Sequence, residues 1–208
     1  MKYYKGRTPG VDVPDMGGAY VAETGCAHED FNFFPTPMVF EDHFMTDGKY
    51  CLGFVETKAT SGSKVNQLHI ERIEGCAACG REEFVDDVLV VYCAAQPSYH
   101  FTTVVGWYKH ARVFCGYQLA EFEGGYEQSY NAIARVEDCV LLPDTDRSEV
   151  TKWKVPRRNS GASFGFGRSN IWFAEGRDEN PYLDDFLRRL ERTILDYQGE
   201  NWVDKFPD

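Results

Sequence analysis

The pattern of hydrophobic and polar positions predicts a chain rich in β-strands. Residues 87–94 form a nearly continuous apolar run with many β-branched side chains, which is typical of a strand buried on both faces. Residues 101–107 and 111–117 predict two more strands, joined through Tyr108–His110, and residues 50–55 predict another. We therefore expect a largely antiparallel sheet with residues 87–94 in its middle.

One helix is predicted near the C-terminus, over residues 180–198. Asn180 is a typical N-cap residue, Pro181 suits the first helical position, and Gly199 ends the pattern. Apolar side chains repeat on one face of this segment, which indicates that the helix packs on the sheet. These residues are Leu183, Phe186, Leu187, Leu190, Ile194 and Leu195.

The remaining segments complete a single predicted domain over residues 1–208. Residues 1–48 are rich in Gly, Pro and aromatic residues and predict an irregular segment that covers the core. Residues 50–175 form the sheet core, within which residues 63–73 predict a short helix. The predicted fold class is α+β, with a mixed, mostly antiparallel or barrel-like sheet and a C-terminal amphipathic helix.

Composition favours an intracellular protein. The chain has 208 residues, 43% of them hydrophobic, which is enough for a core, and no apolar run approaches the roughly 20 residues of a membrane span. Its first residues lack the apolar core of a signal peptide. An odd count of seven scattered cysteines predicts reduced thiols rather than a disulfide framework. We therefore predict a cytoplasmic location.

Charge is unevenly distributed along the chain. The net charge of −11 disfavours nonspecific coating of DNA, because phosphates would be repelled at long range. Residues 147–168, in contrast, carry six basic residues against the single Glu149, a local charge of +5. Gly161, Gly165 and Gly167 predict that this stretch is a basic loop.

Two motifs offer metal chemistry, and both are weak. Cys76-Ala-Ala-Cys79 has the spacing of a zinc or redox motif, but no second ligand pair follows it, so we predict a plain loop and no metal. Asp42, Glu56 and Lys58 imitate the carboxylate and lysine set of metal-dependent nucleases, which leaves nuclease activity as an alternative function.

Aromatic, amide and basic residues together predict a nucleic-acid site. Trp and Tyr rings can stack on bases, Asn side chains can bond base edges, and Lys or Arg can contact phosphates. Each aromatic residue could equally belong to the core. The candidate base-binding residues are Asn32, Trp107, Tyr108, Tyr130, Asn131, Ser169, Asn170 and Trp172. The candidate phosphate-binding residues are Lys109, Arg112, Arg157, Arg158 and Arg168. We predict no catalytic residue and no cofactor.

A family resemblance rests on motifs spread over nearly the whole chain, from about residue 3 to 202. They include Gly17-Gly18-x-Tyr20, Glu29-x-Phe-Asn32-Phe, Val104-Val-Gly-Trp-Tyr-Lys109, Tyr130-Asn131, Val140-Leu-Leu-Pro143 and Phe164-Gly-x-Gly-x-Ser-Asn-x-Trp172. With these motifs the chain resembles a bacterial domain found joined to HNH-type endonucleases of the modification-dependent restriction kind. His110 and Arg168 stand where the family pattern has Asn and Gln.

The resemblance implies a reader of modified or flipped bases in DNA, with a PUA-like (EVE or ASCH type) barrel, acting in restriction or anti-phage defence. The chain has no HNH motif, so the resemblance does not extend to cleavage. A stand-alone reader of this kind would need a separate nuclease or effector subunit as a partner. A domain that senses a small nucleotide or binds a protein is the second alternative, which the acidic composition favours.

Overall fold

The computed structural model describes residues 28–40, 45–57, 67–96, 101–122, 125–158 and 161–203. Its fold is α+β, with seven strands in one antiparallel sheet and few helices, which confirms the predicted class at this level. The strands are β1 (Pro35–Met38), β2 (Gly48–Gly53), β3 (Phe84–Gln96), β4 (Phe101–Phe122), β5 (Tyr126–Arg135), β6 (Cys139–Leu141) and β7 (Lys154–Val155). The helices are α1 (Asp144–Arg147), α2 (Val150–Trp153) and α3 (Pro181–Leu195).

The sheet is organised around β4, a single strand of 22 residues. The strand order is β1-β2-β5-β4-β3, and the short strands β6 and β7 also pair with β4. The prediction of two strands separated at Tyr108–His110 is therefore wrong, because β4 runs through this point with only a register shift against β3. The prediction that residues 87–94 lie in the middle is also wrong. They belong to β3, at the end of the strand order.

The two faces of β4 are buried in different clusters. Because successive side chains of a strand point to opposite faces, the side chains of Trp107 and Tyr108 lie on opposite faces of the sheet. Trp107 joins an apolar cluster that includes Trp153, Phe186 and Ile194, and thus packs beneath α3. Tyr108 joins a second cluster with Phe33. The sheet therefore carries apolar packing on both sides, which explains the continuous apolar run in β3.

Helix α3 confirms the C-terminal prediction. The Asn180 side chain accepts hydrogen bonds from the backbone N–H groups of Tyr182 and Leu183 at 3.1 and 3.2 Å, as an N-cap should. The helix buries Leu183, Phe186 and Ile194, and it ends at Leu195, slightly before the predicted limit.

Several predictions fall partly on residues outside the described ranges. Residues 1–27 of the predicted N-terminal segment lie outside them, and so do residues 63–66 of the predicted short helix, whose remainder contains a 3₁₀ turn at Ile70–Arg72. Among the described strands no ladder joins β1 to β3, so the sheet is open there. Within these ranges, no helix is both long and apolar enough to span a membrane.

Candidate nucleic-acid interface

Trp107 lies deep beneath α3. Its ring is 1% exposed, stacks on Trp153 with ring centroids 5.6 Å apart, and meets the edge of Tyr197 at 5.3 Å. A base that stacked on Trp107 would have to displace one of these rings. The packing instead gives Trp107 the surroundings of a core residue.

Tyr108 is buried on the other face of the sheet. Its ring contacts Tyr92 at 4.9 Å and Phe33 at 5.4 Å between centroids. Burial raises the pKa of the Tyr108 hydroxyl well above its ordinary value, with a further contribution from neighbouring Tyr92. The hydroxyl thus stays protonated, enclosed by aromatic rings, and presents no surface to a ligand.

Asn32 and Asn131 use their side-chain amides to hold the chain that follows β2. Asn32 donates to the Phe54 carbonyl at 3.2 Å and accepts from the Phe54 N–H at 2.8 Å. Asn131 does the same with Val55, at 2.9 and 3.1 Å. Both residues are buried. Each side-chain amide therefore supplies the donor and the acceptor that a neighbouring strand would otherwise offer to this backbone. Tyr130 is buried nearby against Phe114, with ring centroids 5.9 Å apart.

Apart from Lys109 and Arg112, the accessible members of the predicted site lie in residues 157–158 and 161–172, which we call the aromatic-basic segment. Phe166 closes it: its N–H donates to the Pro156 carbonyl at 3.1 Å, and its carbonyl accepts from the Arg158 N–H at 3.0 Å. Gly165 makes this approach possible, because it has a φ of +112° and a Cβ there would lie 2.1 Å from the Pro156 oxygen.

Three aromatic rings surround Trp172, which is half-buried. Phe164 stacks on it with centroids 6.4 Å apart, Phe166 meets it at 5.7 Å, and Phe186 of α3 lies 6.2 Å away. Ser169 and Asn170 are exposed beside this group, and the Ser169 hydroxyl accepts the Ile171 N–H at 3.2 Å. The result is a partly open aromatic group fixed on the outer layer of the fold.

The same segment carries cations that no described carboxylate neutralises. Arg158 and Arg168 are exposed, and within the described ranges neither forms an ion pair. Arg157 is half-buried and donates to the Thr102 hydroxyl at 3.1 Å. Two other basic residues of the predicted loop serve different purposes. Arg147 is 0% exposed and donates to the Leu142 carbonyl, whereas Lys152 pairs with Glu149 at 2.8 Å.

Lys109 and Arg112 lie far along β4 from Arg157. Thr102, which contacts Arg157, precedes Lys109 by seven residues, or roughly 23 Å at about 3.3 Å per residue. Arg112 forms a two-point ion pair with Asp86, at 2.6 and 3.0 Å, and covers the Phe84 ring at 4.1 Å. Arg157 and Arg158 are thus connected to Trp172 through Phe166, whereas Arg112 is engaged by Asp86.

The residues considered for metal chemistry form no metal-ligand cluster among those described. Within the described ranges, no three His, Cys, Asp or Glu side chains converge as metal ligands. Cys76 and Cys79 sit in a turn closed by a 2.8 Å backbone bond, and burial, followed by the effect of Cys79, raises the pKa of Cys76. Glu56 is exposed, while Asp42 and Lys58 lie outside the described residues.

Phe164 opens one of the motifs quoted from the sequence, but it was not predicted as a site residue, although it is an aromatic residue two positions before Phe166. Sequence reasoning missed Arg72, Glu74 and Glu175 altogether, because their partners are distant in the sequence. Comparison of the chain with family models, with curated proteins and with solved structures found no match.

Proposed function

We propose that the protein binds nucleic acid that carries a modified or flipped base, and that it does so through the aromatic-basic segment. The observation that carries the proposal is the half-buried Trp172 group beside exposed Arg158 and Arg168. Stacking on an aromatic ring and phosphate contact by arginine are the two interactions that hold an unpaired base and its backbone. Ser169 and Asn170 supply hydrogen-bonding groups at the same surface.

The resemblance to the domains joined to HNH-type endonucleases supports the same reading. Its Phe164-Gly-x-Gly-x-Ser-Asn-x-Trp172 motif coincides with the accessible segment, whereas its Gly-Trp-Tyr-Lys motif falls on buried β4. The proposal accordingly includes a PUA-like relationship, a cytoplasmic location and a role in defence against foreign DNA. It also includes a separate nuclease or effector partner, because the chain contains no HNH motif.

Fluorescence anisotropy with short labelled oligonucleotides tests this function. Single-stranded and duplex probes would each carry cytosine, 5-methylcytosine, 5-hydroxymethylcytosine or N6-methyladenine, and we expect one modification to bind most tightly. Trp172→Ala should weaken that binding roughly tenfold, since a stacked base contributes about 1–3 kcal/mol. Tyr182→Ala is the matched control, because Tyr182 is 79% exposed and lies outside the segment.

Salt dependence separates the cationic contribution from stacking. Arg158→Ala and Arg168→Ala should each reduce the slope of log K against log salt by about 0.7–0.9, as expected for the loss of one phosphate contact. Binding that is unchanged in a correctly folded Trp172→Ala protein, or equal for all probes, would show that the segment does not read a base.

A further inference from the structure

Two reciprocal ion pairs join the residues that follow the aromatic-basic segment to a distant loop. Arg72 donates two hydrogen bonds to the Glu175 carboxylate, one of them at 2.9 Å. Arg177 donates to Glu74 at 3.1 Å. In both pairs the partners are 103 residues apart in sequence, and each chain segment contributes one arginine and one glutamate. This arrangement, the double clamp, therefore fixes residues 175–177 against residues 72–74.

Apolar and aromatic contacts reinforce the double clamp. The Arg72 guanidinium lies 4.6 Å from the centre of the Phe173 ring. Ile171 and Phe173 flank Trp172 in sequence and pack against a buried apolar cluster that includes Leu68 and Ile70. Ile73, Cys76 and Cys79 pack against the same cluster. The loop that contains the Cys-Ala-Ala-Cys motif and the residues on either side of Trp172 therefore share one apolar cluster.

The backbone at the double clamp is held in an unfavourable conformation. Ala174 has a φ of +55° and Gly176 a φ of +83°, so two left-handed residues flank Glu175. A left-handed alanine is sterically unfavourable and persists only where surrounding contacts impose it. Glu175 is the residue through which Arg72 can impose it.

Arg177 anchors the same point to α3. It bonds Asp184 at 2.6 Å and Glu191 at 3.0 Å, in addition to Glu74. Its side chain is 17% exposed, so these bonds are shielded from solvent more than the Arg72–Glu175 pair, whose side chains are each 47% exposed. The exposed pair is the one that can be altered without unfolding the protein, because such pairs contribute little to global stability.

We propose that Arg72 and Glu175 are positioning residues, which set the orientation of Trp172 for nucleic-acid binding through the double clamp. The inference rests on the proposed function. Neither residue is in the set predicted to contact nucleic acid. Their effect is transmitted through Phe173 and the strained Ala174, which connect the clamp to Trp172.

Charge reversal and exchange test the proposal. Arg72→Glu and Glu175→Arg should each weaken binding of a labelled single-stranded oligonucleotide containing 5-methylcytosine by roughly tenfold, and the double exchange R72E/E175R should restore most of it. Lys49→Glu makes the same charge change as Arg72→Glu at an exposed site on β2, and it should leave binding as in wild type. Amide hydrogen exchange of residues 161–177 provides the second measurement. It should be faster in both single variants and should return toward the wild-type rate in the double variant R72E/E175R.

The outcomes distinguish the two proposals. Wild-type binding in both single variants, or a failure of the exchange variant to recover, would overturn the positioning role. If the wild-type protein binds no oligonucleotide, but amide hydrogen exchange is still faster in the single variants and recovers in R72E/E175R, the function proposed for the segment is wrong although the clamp exists. If the wild-type protein binds, but neither hydrogen exchange nor binding changes in the single variants, only the positioning role is wrong.

Discussion

His110 and Asp87 face each other across β3 and β4 with left-handed backbone at both residues. Their φ angles are 51° and 60°, and His110 Nδ1 lies 2.6 Å from Asp87 Oδ1. They lie where the register between the two strands shifts. Asn, Asp and His tolerate this conformation better than most other residues. This accounts in conformational terms for a His at position 110.

The left-handed backbone at His110 predicts which substitutions the bulge tolerates. His110→Asn should change the free energy of unfolding little, whereas His110→Val should lower it by about 1–2 kcal/mol, because a β-branched residue strains this conformation. Urea denaturation of the two variants measures the difference. Equal stability of the Asn and Val variants would contradict a left-handed residue 110.

Gly106 is required for packing between β4 and its neighbours. A Cβ there would lie 2.4 Å from the Val140 carbonyl oxygen and 2.6 Å from the Phe33 ring. Gly106→Ala should therefore lower the free energy of unfolding by about 1–3 kcal/mol. Gly116→Ala in the same strand is the control, since nothing lies within 4 Å of a Cβ there. Thermal unfolding of both variants checks the contrast, which an equal loss would refute.

Asn131 should contribute to stability through its two bonds to Val55. Asn131→Ala leaves the Val55 N–H and carbonyl without these partners and should cost about 1–3 kcal/mol. Asn131→Asp keeps an acceptor but loses the donor, so it should be intermediate. Chemical denaturation gives the order, with the exposed Asn170→Ala as the control. If Asn131→Ala unfolds at the same denaturant concentration as the wild-type protein, the Asn131 amide does not contribute to stability.

Acid should weaken the junction between Arg177 and α3. The Arg177 and Arg188 guanidinium groups hold the pKa of Asp184 below its ordinary value, and Arg72 does the same for Glu175. A lowered folded-state pKa adds stability that is present above the unfolded value, near pH 4, and is lost as pH falls through the folded value. Melting temperature should therefore fall less steeply below about pH 4 in Asp184→Asn than in wild type.

Asp185→Asn is the matched control for the acid experiment. Asp185 follows Asp184 in α3, and among the described residues it forms no ion pair. Its substitution should leave the acid dependence of wild type unchanged. Parallel curves for wild type and Asp184→Asn would contradict the role of the Asp184 carboxylate.

Local signals in the sequence predicted local structure well. The Asn180-Pro181 start of α3 depends on residues within one turn, and the apolar face follows from helical spacing. The edge position of β3 could not be read from its composition, because burial of both faces gives the same apolar run as a central position. The continuity of β4 through His110 was missed because its bulge depends on the pairing with β3.

Some residues of the candidate site could also be predicted from local sequence, whereas the roles of others depend on tertiary contacts. Trp172 and its neighbours were found because glycines, aromatic residues and arginines adjoin in sequence. Trp107 has the same composition around it, yet Trp153 and Tyr197 fill its surroundings, and only tertiary structure reveals them. The amides of Asn32 and Asn131 were predicted to read bases, but their bonding to Phe54 and Val55 depends on partners that lie 22 and 76 residues away.

The long strand β4 also has a consequence for how the chain folds. β3 and β5 precede and follow it directly, so a three-stranded meander can form from contacts close in sequence, with a small entropic cost of loop closure. β7 pairs with Thr102 and Thr103, about fifty residues upstream. We therefore expect β7 to pair only after the meander has formed. The aromatic-basic segment follows β7 directly. We therefore expect it to be among the last parts of the protein to acquire its native arrangement, after the sheet has formed.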